Sequence, residues 1–278
     1  MLIERFGTDG SIPRANALLR DLDGKVDALG LGGIALHLRA GSRKYVVRDA
    51  ARMVRGVTRT PVVDGDALKE SWEGWLITDY LPLKKAISFR GTKVLLVPAV
   101  DRVGMTEAFL EVGADVLAGD FIFGLGLPIP VRSPRLGRVL AALVVPILSK
   151  IPYAYLYPTG TRQEEITPRH EKYYAWADVI AGDFHYIRRH LPDDLQGKTV
   201  VTQTITGQDV ELLRRRRVRR LIVDFPSMGG RSFATNVLQA AVVAATGRRP
   251  DEITPQQYVE HLLAAGMEPR VEELTPVA

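Results

Sequence analysis

The chain has 278 residues, 46% hydrophobic and 25% charged, a balance that excludes disorder, collagen and a coiled coil. It contains no cysteine, so disulfides, thiolate metal sites and a cysteine nucleophile are excluded too. The net charge of +5 is unevenly placed, with six arginines inside residues 214–220.

In chain order, residues 2–6 are expected to form a short strand and 12–22 a helix capped by Ser11. Residues 26–31 make a buried strand that runs into Gly32 and Gly33. A hairpin is expected from 36–38 and 45–47 around the turn at Gly41. A helix over 49–54, a strand over 61–64 and a helix over 67–75 follow. Residues 78–92 are the candidate linker. Beyond it, strands are expected at 93–100, 116–119, 178–182, 198–204 and 221–224. The helices between and after them are expected to end near Val112, His190, Arg216, Thr246 and Ala265. Such alternation predicts an α/β fold, a mostly parallel sheet with helices on both faces.

Two runs have competing readings. The arginines Arg214 to Arg217, Arg219 and Arg220 end a helix, where cations suit the dipole; a nucleic-acid patch is the alternative, and no recognition motif accompanies it. No nucleic-acid partner is therefore expected. Residues 139–148 are the most apolar stretch. Ten residues reach only about 15 Å as a helix, half the hydrocarbon thickness, so no membrane span is expected. A buried helix is the favoured reading. Arg135 and Arg138 before it and Tyr153, Tyr155 and Tyr157 after it leave a lid or membrane-touching helix open. The first residues lack the pattern of a signal peptide, and with the absence of cysteine this gives a cytoplasmic expectation.

One internal echo is specific. Residues 114–121, ADVLAGDF, recur at 177–184 as ADVIAGDF. Both copies put Gly-Asp-Phe after an apolar strand, at the edge where α/β proteins bind ligands. Asp120 and Asp183 are either turn caps or a ligand clamp.

Four loops could carry chemistry. Asp101, Arg102 and Gly104 open a helix and could cradle an anion. Asp183 and His185 could form an acid–base pair, and the surrounding histidine spacing matches no metal motif, so no metal is expected. The loop 157–165 is either a lid hinged at Gly160 or a capped turn. Gly229, Gly230, Arg231, Ser232 and Thr235 lie where a strand leads into a long helix, an arrangement suited to a phosphate or carboxylate.

Several segments together resemble a bacterial family commonly labelled quinate 5-dehydrogenase. They are Gly30-Leu31-Gly32-Gly33-Ile34, Thr60-Pro61-Val62-Val63-Asp64-Gly65, the stretch from Val100 to Met105, Leu127-Pro128-Ile129-Pro130, Tyr157-Pro158-Thr159-Gly160 and Gly182-Asp183-Phe184-His185. The resemblance covers nearly the whole chain. It implies two Rossmann-like domains, a smaller one over 1–80 and a larger one over 91–278, and a natural start upstream of Met1. It also implies an NAD(P)-dependent oxidoreductase of quinate- or shikimate-type hydroxy acids. On that reading Gly30, Gly32, Gly33, Asp101, Arg102 and Gly104 meet the cofactor. Asp183, His185 and Asp120 are catalytic, and Gly229, Gly230, Arg231, Ser232 and Thr235 hold the anionic substrate. A non-catalytic two-lobed sensor of a small ligand, and a transferase or lyase without nicotinamide, fit the same pattern. Self-association is left open.

Overall fold

A computed structural model describes residues 1–41, 43–152, 166–228 and 231–274. The chain forms two compact units, each assembled from non-consecutive stretches. The first comprises Met1–Leu68, Arg138–Gln163 and Ala234–Ala265; the second comprises Lys69–Gly137, Glu164–Phe233 and Gly266–Ala278.

In the first unit, Ser11 caps the helix Ile12–Leu22 by accepting from the Arg14 N–H, as its sequence predicts. The strand expected over 2–6 does not form, and Leu2 and Phe6 are exposed. Strand β1 (Leu29–Gly30) is followed by the hairpin β2 (His37–Ala40) and β3 (Arg43–Val46), the helix Arg48–Met53, and β4 (Val62–Val63), which pairs in parallel with β1. The Asp23 carboxylate accepts the N–H groups of Thr58, Arg59 and Thr60 and so fixes the turn into β4. Those bonds to its charged form, that of Thr58 first, hold its pKa below the ordinary carboxylate value.

The second unit holds a six-stranded sheet. Its strands are β5 (Lys93–Val97), β6 (Asp115–Ala118), β7 (Val179–Asp183), β8 (Thr199–Gln203), β9 (Arg220–Val223) and, past the short hairpin of β10 (Ser227–Met228) and β11 (Arg231–Ser232), β12 (Arg270–Glu273). The order across the sheet is β12-β9-β8-β7-β5-β6, all parallel but for β12. Alternate residues feed two cores. Leu95, Val97, Ile180, Val200 and Leu221 face one side with Tyr174, Phe184 and Leu213. Val94, Leu96, Ala181, Val201 and Ile222 face the other with Leu76, Met105 and Phe109. Helices thus cover both faces, which is why these strands are apolar throughout.

Two segments depart from expectation. Residues 78–92 are not a linker: a π-helical turn over Leu76–Tyr80 and the helix Leu81–Lys85 bury Leu76, Ile77, Tyr80 and Leu81 in the second core. Pro82 sits in the first turn of that helix, where its missing N–H costs nothing. The helix Pro134–Leu148 is not a buried one either: Val145 is its buried residue, while Leu136, Val139, Leu143 and Ile147 are exposed. Among the described residues, no helix is long and apolar enough to cross a membrane.

Candidate functional site at the carboxyl rim

Because β5 to β9 run the same way, their carboxyl ends line one rim. β5 lies between β6 and β7, so the connections leaving it and returning past it go to opposite sides. The crevice at such a reversal is where open α/β sheets bind ligands.

The two copies of Gly-Asp flank β5 at this point. A Cβ on Gly119 would lie 2.8 Å from the Leu96 carbonyl oxygen, and one on Gly182 would lie 2.3 Å from that of Val97. Only glycine lets both neighbours close on the end of β5. The aspartates then organise the loop that follows β5. Asp120 accepts the N–H of Ala99 at 3.2 Å and of Val100 at 2.8 Å. Asp183 accepts the His185 backbone N–H at 2.9 Å, capping the helix Phe184–Arg189, and an Arg102 N–H at 3.2 Å.

A polar row continues across the sheet. Asp183 pairs with Gln203 across β7 and β8, and Asp224 follows one step beyond the Thr202–Val223 pair of β8 and β9. By strand alternation these three share the face of Ala181, Val201 and Ile222. The helix Asp66–Trp75 supplies the rest. Trp72 donates its indole N–H to the Asp224 carbonyl at 2.9 Å and stacks on Phe225, and Glu73 pairs with Arg102. Lys69 pairs with Asp101 at 2.8 Å.

Arg102, 1% exposed, is therefore ringed by carboxylates: Glu73, Asp183 at 3.2 Å and Asp101 at 3.7 Å. Burial alone would lower its pKa; the carboxylates, Glu73 first, hold it above the ordinary arginine value instead. Burial pushes the Glu73 carboxyl up to about 7, against the pull of Arg102 and Lys69. Burial, with Glu73 as a like charge, lifts Asp224 well above the usual carboxylate range. Burial also raises Asp120, against its backbone donors. It would raise Asp101 as well, but Lys69 and Arg102 keep that carboxyl low. Burial thus favours the neutral form of Glu73 and of Asp224, while Lys69 and Arg102 favour the charged form of Asp101.

Several buried atoms here have no hydrogen-bond partner: Oε2 of Glu73, both carboxylate oxygens of Asp224, Oε1 of Gln203 and Nε of Arg102. Each such atom costs about 1–3 kcal/mol. Four of the five are oxygens, each able to accept a hydrogen bond.

The structure gathers Asp101, Arg102, Asp120 and Asp183 at one rim and assigns other roles to the remaining candidates. His185 is exposed and meets Asp183 through its backbone. A Cβ on Gly104 would strike the carbonyls of Lys69 and Glu70 at 2.4 and 2.7 Å, so this glycine is a helix-packing contact. Arg102, already paired, offers an anion no free fork. In the first unit, Gly30 presses on the Asn236 carbonyl at 2.8 Å and Gly32 meets the Asn236 side chain at 3.6 Å. Gly33 takes a left-handed turn with φ 78°. Thr235 is buried against Gly65 and opens the long helix Thr235–Thr246. A dinucleotide pyrophosphate needs open backbone at the glycine that it approaches; Gly30 and Gly104 are filled by protein and do not offer it. In the second unit the Ser232 hydroxyl accepts the Ile205 N–H at 3.0 Å. Gly229, Gly230 and the loop 157–165 lie outside the described residues.

Sequence reasoning missed Glu73, Gln203, Asp224 and Lys69. Asp224 carried a signal, since it ends an apolar strand as Asp183 does. Lys69 and Glu73 carried another, being four apart on one helix face. Among the described residues, no group of three or more histidine, aspartate or glutamate side chains could hold a metal ion.

The arginines of 214–220 are largely tied down. Arg216 pairs with Asp193, Arg217 with Asp194 and Arg220 with Glu273, and Arg214 donates to the Leu274 carbonyl at 2.9 Å.

A search of curated proteins gives no match. Among solved structures, the crystal structure of sugar ABC transport system, substrate-binding protein from Bordetella parapertussis 12822 is similar at 15% identity and a TM-score of 0.35, over 87% of this chain and 68% of that one. The family model described as domain of unknown function DUF8753 matches residues 1–64. A second, domain of unknown function DUF8754, matches residues 67–274, which hold the whole six-stranded sheet. The chain belongs to the family of domain of unknown function DUF8754.

Proposed function

We propose that this protein is an enzyme that binds a small hydroxyl-bearing metabolite at the carboxyl rim of its parallel sheet and moves a proton to or from it. One observation carries the reading: Glu73, Gln203 and Asp224 keep unpartnered acceptor atoms at the carboxyl rim. Acceptors suit a ligand that donates hydrogen bonds, and hydroxyl groups do so. Glu73, its carboxyl pushed up to about 7, exchanges a proton with that hydroxyl, taking it as the carboxylate and giving it back as the acid, with Asp224 as the second carboxyl of the pair. Arg102 keeps the pair in place and balances its charge.

The family resemblance adds a substrate class, hydroxy acids of the quinate or shikimate type, and two Rossmann-like domains. Arg231 is the residue proposed for the acid's carboxylate. A dehydrogenase also needs a hydride acceptor. NAD(P) supplies that chemistry when bound, but Gly30 and Gly104 do not fit it, so no step is assigned to it here. The site supports a cytoplasmic catalyst and a non-catalytic sensor differently, since only the first needs a titratable group near neutral pH.

Thermal shift with quinate and shikimate, against cyclohexanecarboxylate, tests the reading. A hydroxylated acid at 100 times its Kd should add about 2.7 kcal/mol of stability. Gln203→Leu should abolish the gain. No shift with any hydroxylated acid, or an equal shift in Gln203→Leu, overturns the site. Binding without turnover, followed by NMR with and without NAD(P), turns the assignment to the sensor.

A further inference from the structure

The helix Pro134–Leu148 turns its apolar side outward. Leu136 is 47% exposed, Val139 56%, Leu143 63% and Ile147 63%. Their spacing of three, four and four residues keeps them within about 80° of the helix surface at 100° per residue. Single exposed apolar residues need no explanation, but a continuous stripe does. The face beneath it is accounted for, since Val145 is buried and the Ser149 carbonyl just beyond accepts the Arg48 N–H at 2.9 Å.

Charge tells what covers the stripe. Residues 121–163 contain no aspartate or glutamate, where the chain average would put about five, yet they carry Arg132, Arg135, Arg138, Lys150 and Arg162. Arg132 is spent on Asp115 and the Trp176 ring. Arg135, Arg138 and Lys150 are exposed and make no ion pair among the described residues. They bracket the stripe at both ends. A second protein chain would need only the apolar part; an unbroken run of cations beside it suits a uniformly anionic surface.

We infer that this helix lies in the headgroup region of an anionic phospholipid bilayer, with Leu136, Val139, Leu143 and Ile147 inserted and Arg135, Arg138 and Lys150 on the lipid phosphates. Its 15 residues are about 22 Å long, enough to lie along a membrane and too short to cross one. Insertion in the plane needs apolar contact and charge together, and this helix has both.

Co-sedimentation of the purified chain with phosphatidylglycerol/phosphatidylcholine vesicles and with pure phosphatidylcholine vesicles tests this. Binding is expected to the anionic vesicles and to fall with added salt. The double variant Leu143→Ser, Ile147→Ser should lower the partition coefficient at least tenfold. Arg135→Gln and Arg138→Gln should each lower it about fivefold. Because all four positions are exposed, circular dichroism of each variant should match the parent. Absence of binding to anionic vesicles overturns the inference, as does binding that the serine variant leaves unchanged. Concentration-dependent dimerisation that the serine variant abolishes, without vesicle binding, overturns it in favour of a second copy of the chain.

Discussion

Two regions of this protein break the usual partition of side chains in opposite directions. At the carboxyl rim, Glu73, Arg102 and Asp224 are fully buried charged residue types, which are seldom inside unless paired. On the helix Pro134–Leu148, leucines and isoleucine stand in solvent. The first region gives up stability to keep polar groups in a defined place. The second gives up solubility to keep an apolar surface free. Neither arrangement helps the fold, so each points to a ligand or a surface outside the chain.

The comparison breaks first at Arg102. Arg102→Ala should cost about 3–5 kcal/mol in urea unfolding, because it removes the partner of the buried Glu73 and of the Asp183 carboxylate. A loss below about 1 kcal/mol would mean that water reaches the cluster and that the rim is an ordinary surface.

The pH dependence sharpens the same point. The folded chain keeps Glu73 protonated up to about pH 7, whereas the unfolded chain releases that proton near 4.5. Between those values the folded state binds more protons, so stability falls as pH rises through the window. Asp224, also raised, acts in the same sense. The expected loss is on the order of 1–3 kcal/mol. Glu73→Gln should flatten the profile between pH 5 and 7. A parent profile that is already flat there would remove Glu73 as a proton carrier.

Asp183 is a smaller case. Asp183→Ala removes both a helix cap and a contact to Arg102, and should cost about 1–2 kcal/mol. Asp183→Asn keeps the cap and should lose less. Equal losses in the two would show that the cap carries nothing.

The sequence told one region apart far better than the other. Alternating strands and helices made the parallel sheet legible, and the ADVLAGDF echo marked both strands that flank β5. The polar cluster was half legible: Asp101, Arg102, Asp120 and Asp183 follow strands, where ligand residues are expected. Glu73 was hidden because helical periodicity places a residue on a face without saying what meets it, and its partner Arg102 lies 29 residues away. The helix Leu81–Lys85 was hidden by Pro82, which is harmless only in a first turn. β12 was hidden by its composition: RVEE reads as surface, yet as an antiparallel edge strand it needs only one apolar side chain toward the core. The outward stripe was misread for the opposite reason, since apolar residues at helical spacing give the same pattern whether core or membrane takes them.

The last prediction uses that ambiguity. Leu143→Ser and Ile147→Ser should change stability by no more than about 0.5 kcal/mol each, the range for surface positions. If the stripe packed against protein in solution, each leucine or isoleucine truncation would instead cost about 2–5 kcal/mol. Urea unfolding of the two variants separates these cases without any vesicle. At the rim, the same order of perturbation at Arg102 should register in full as lost stability. On the stripe it should register only when an anionic bilayer is added. A large stability loss from the serine variants would make the two regions alike, both interior, and would remove the stripe as a surface kept free for a bilayer.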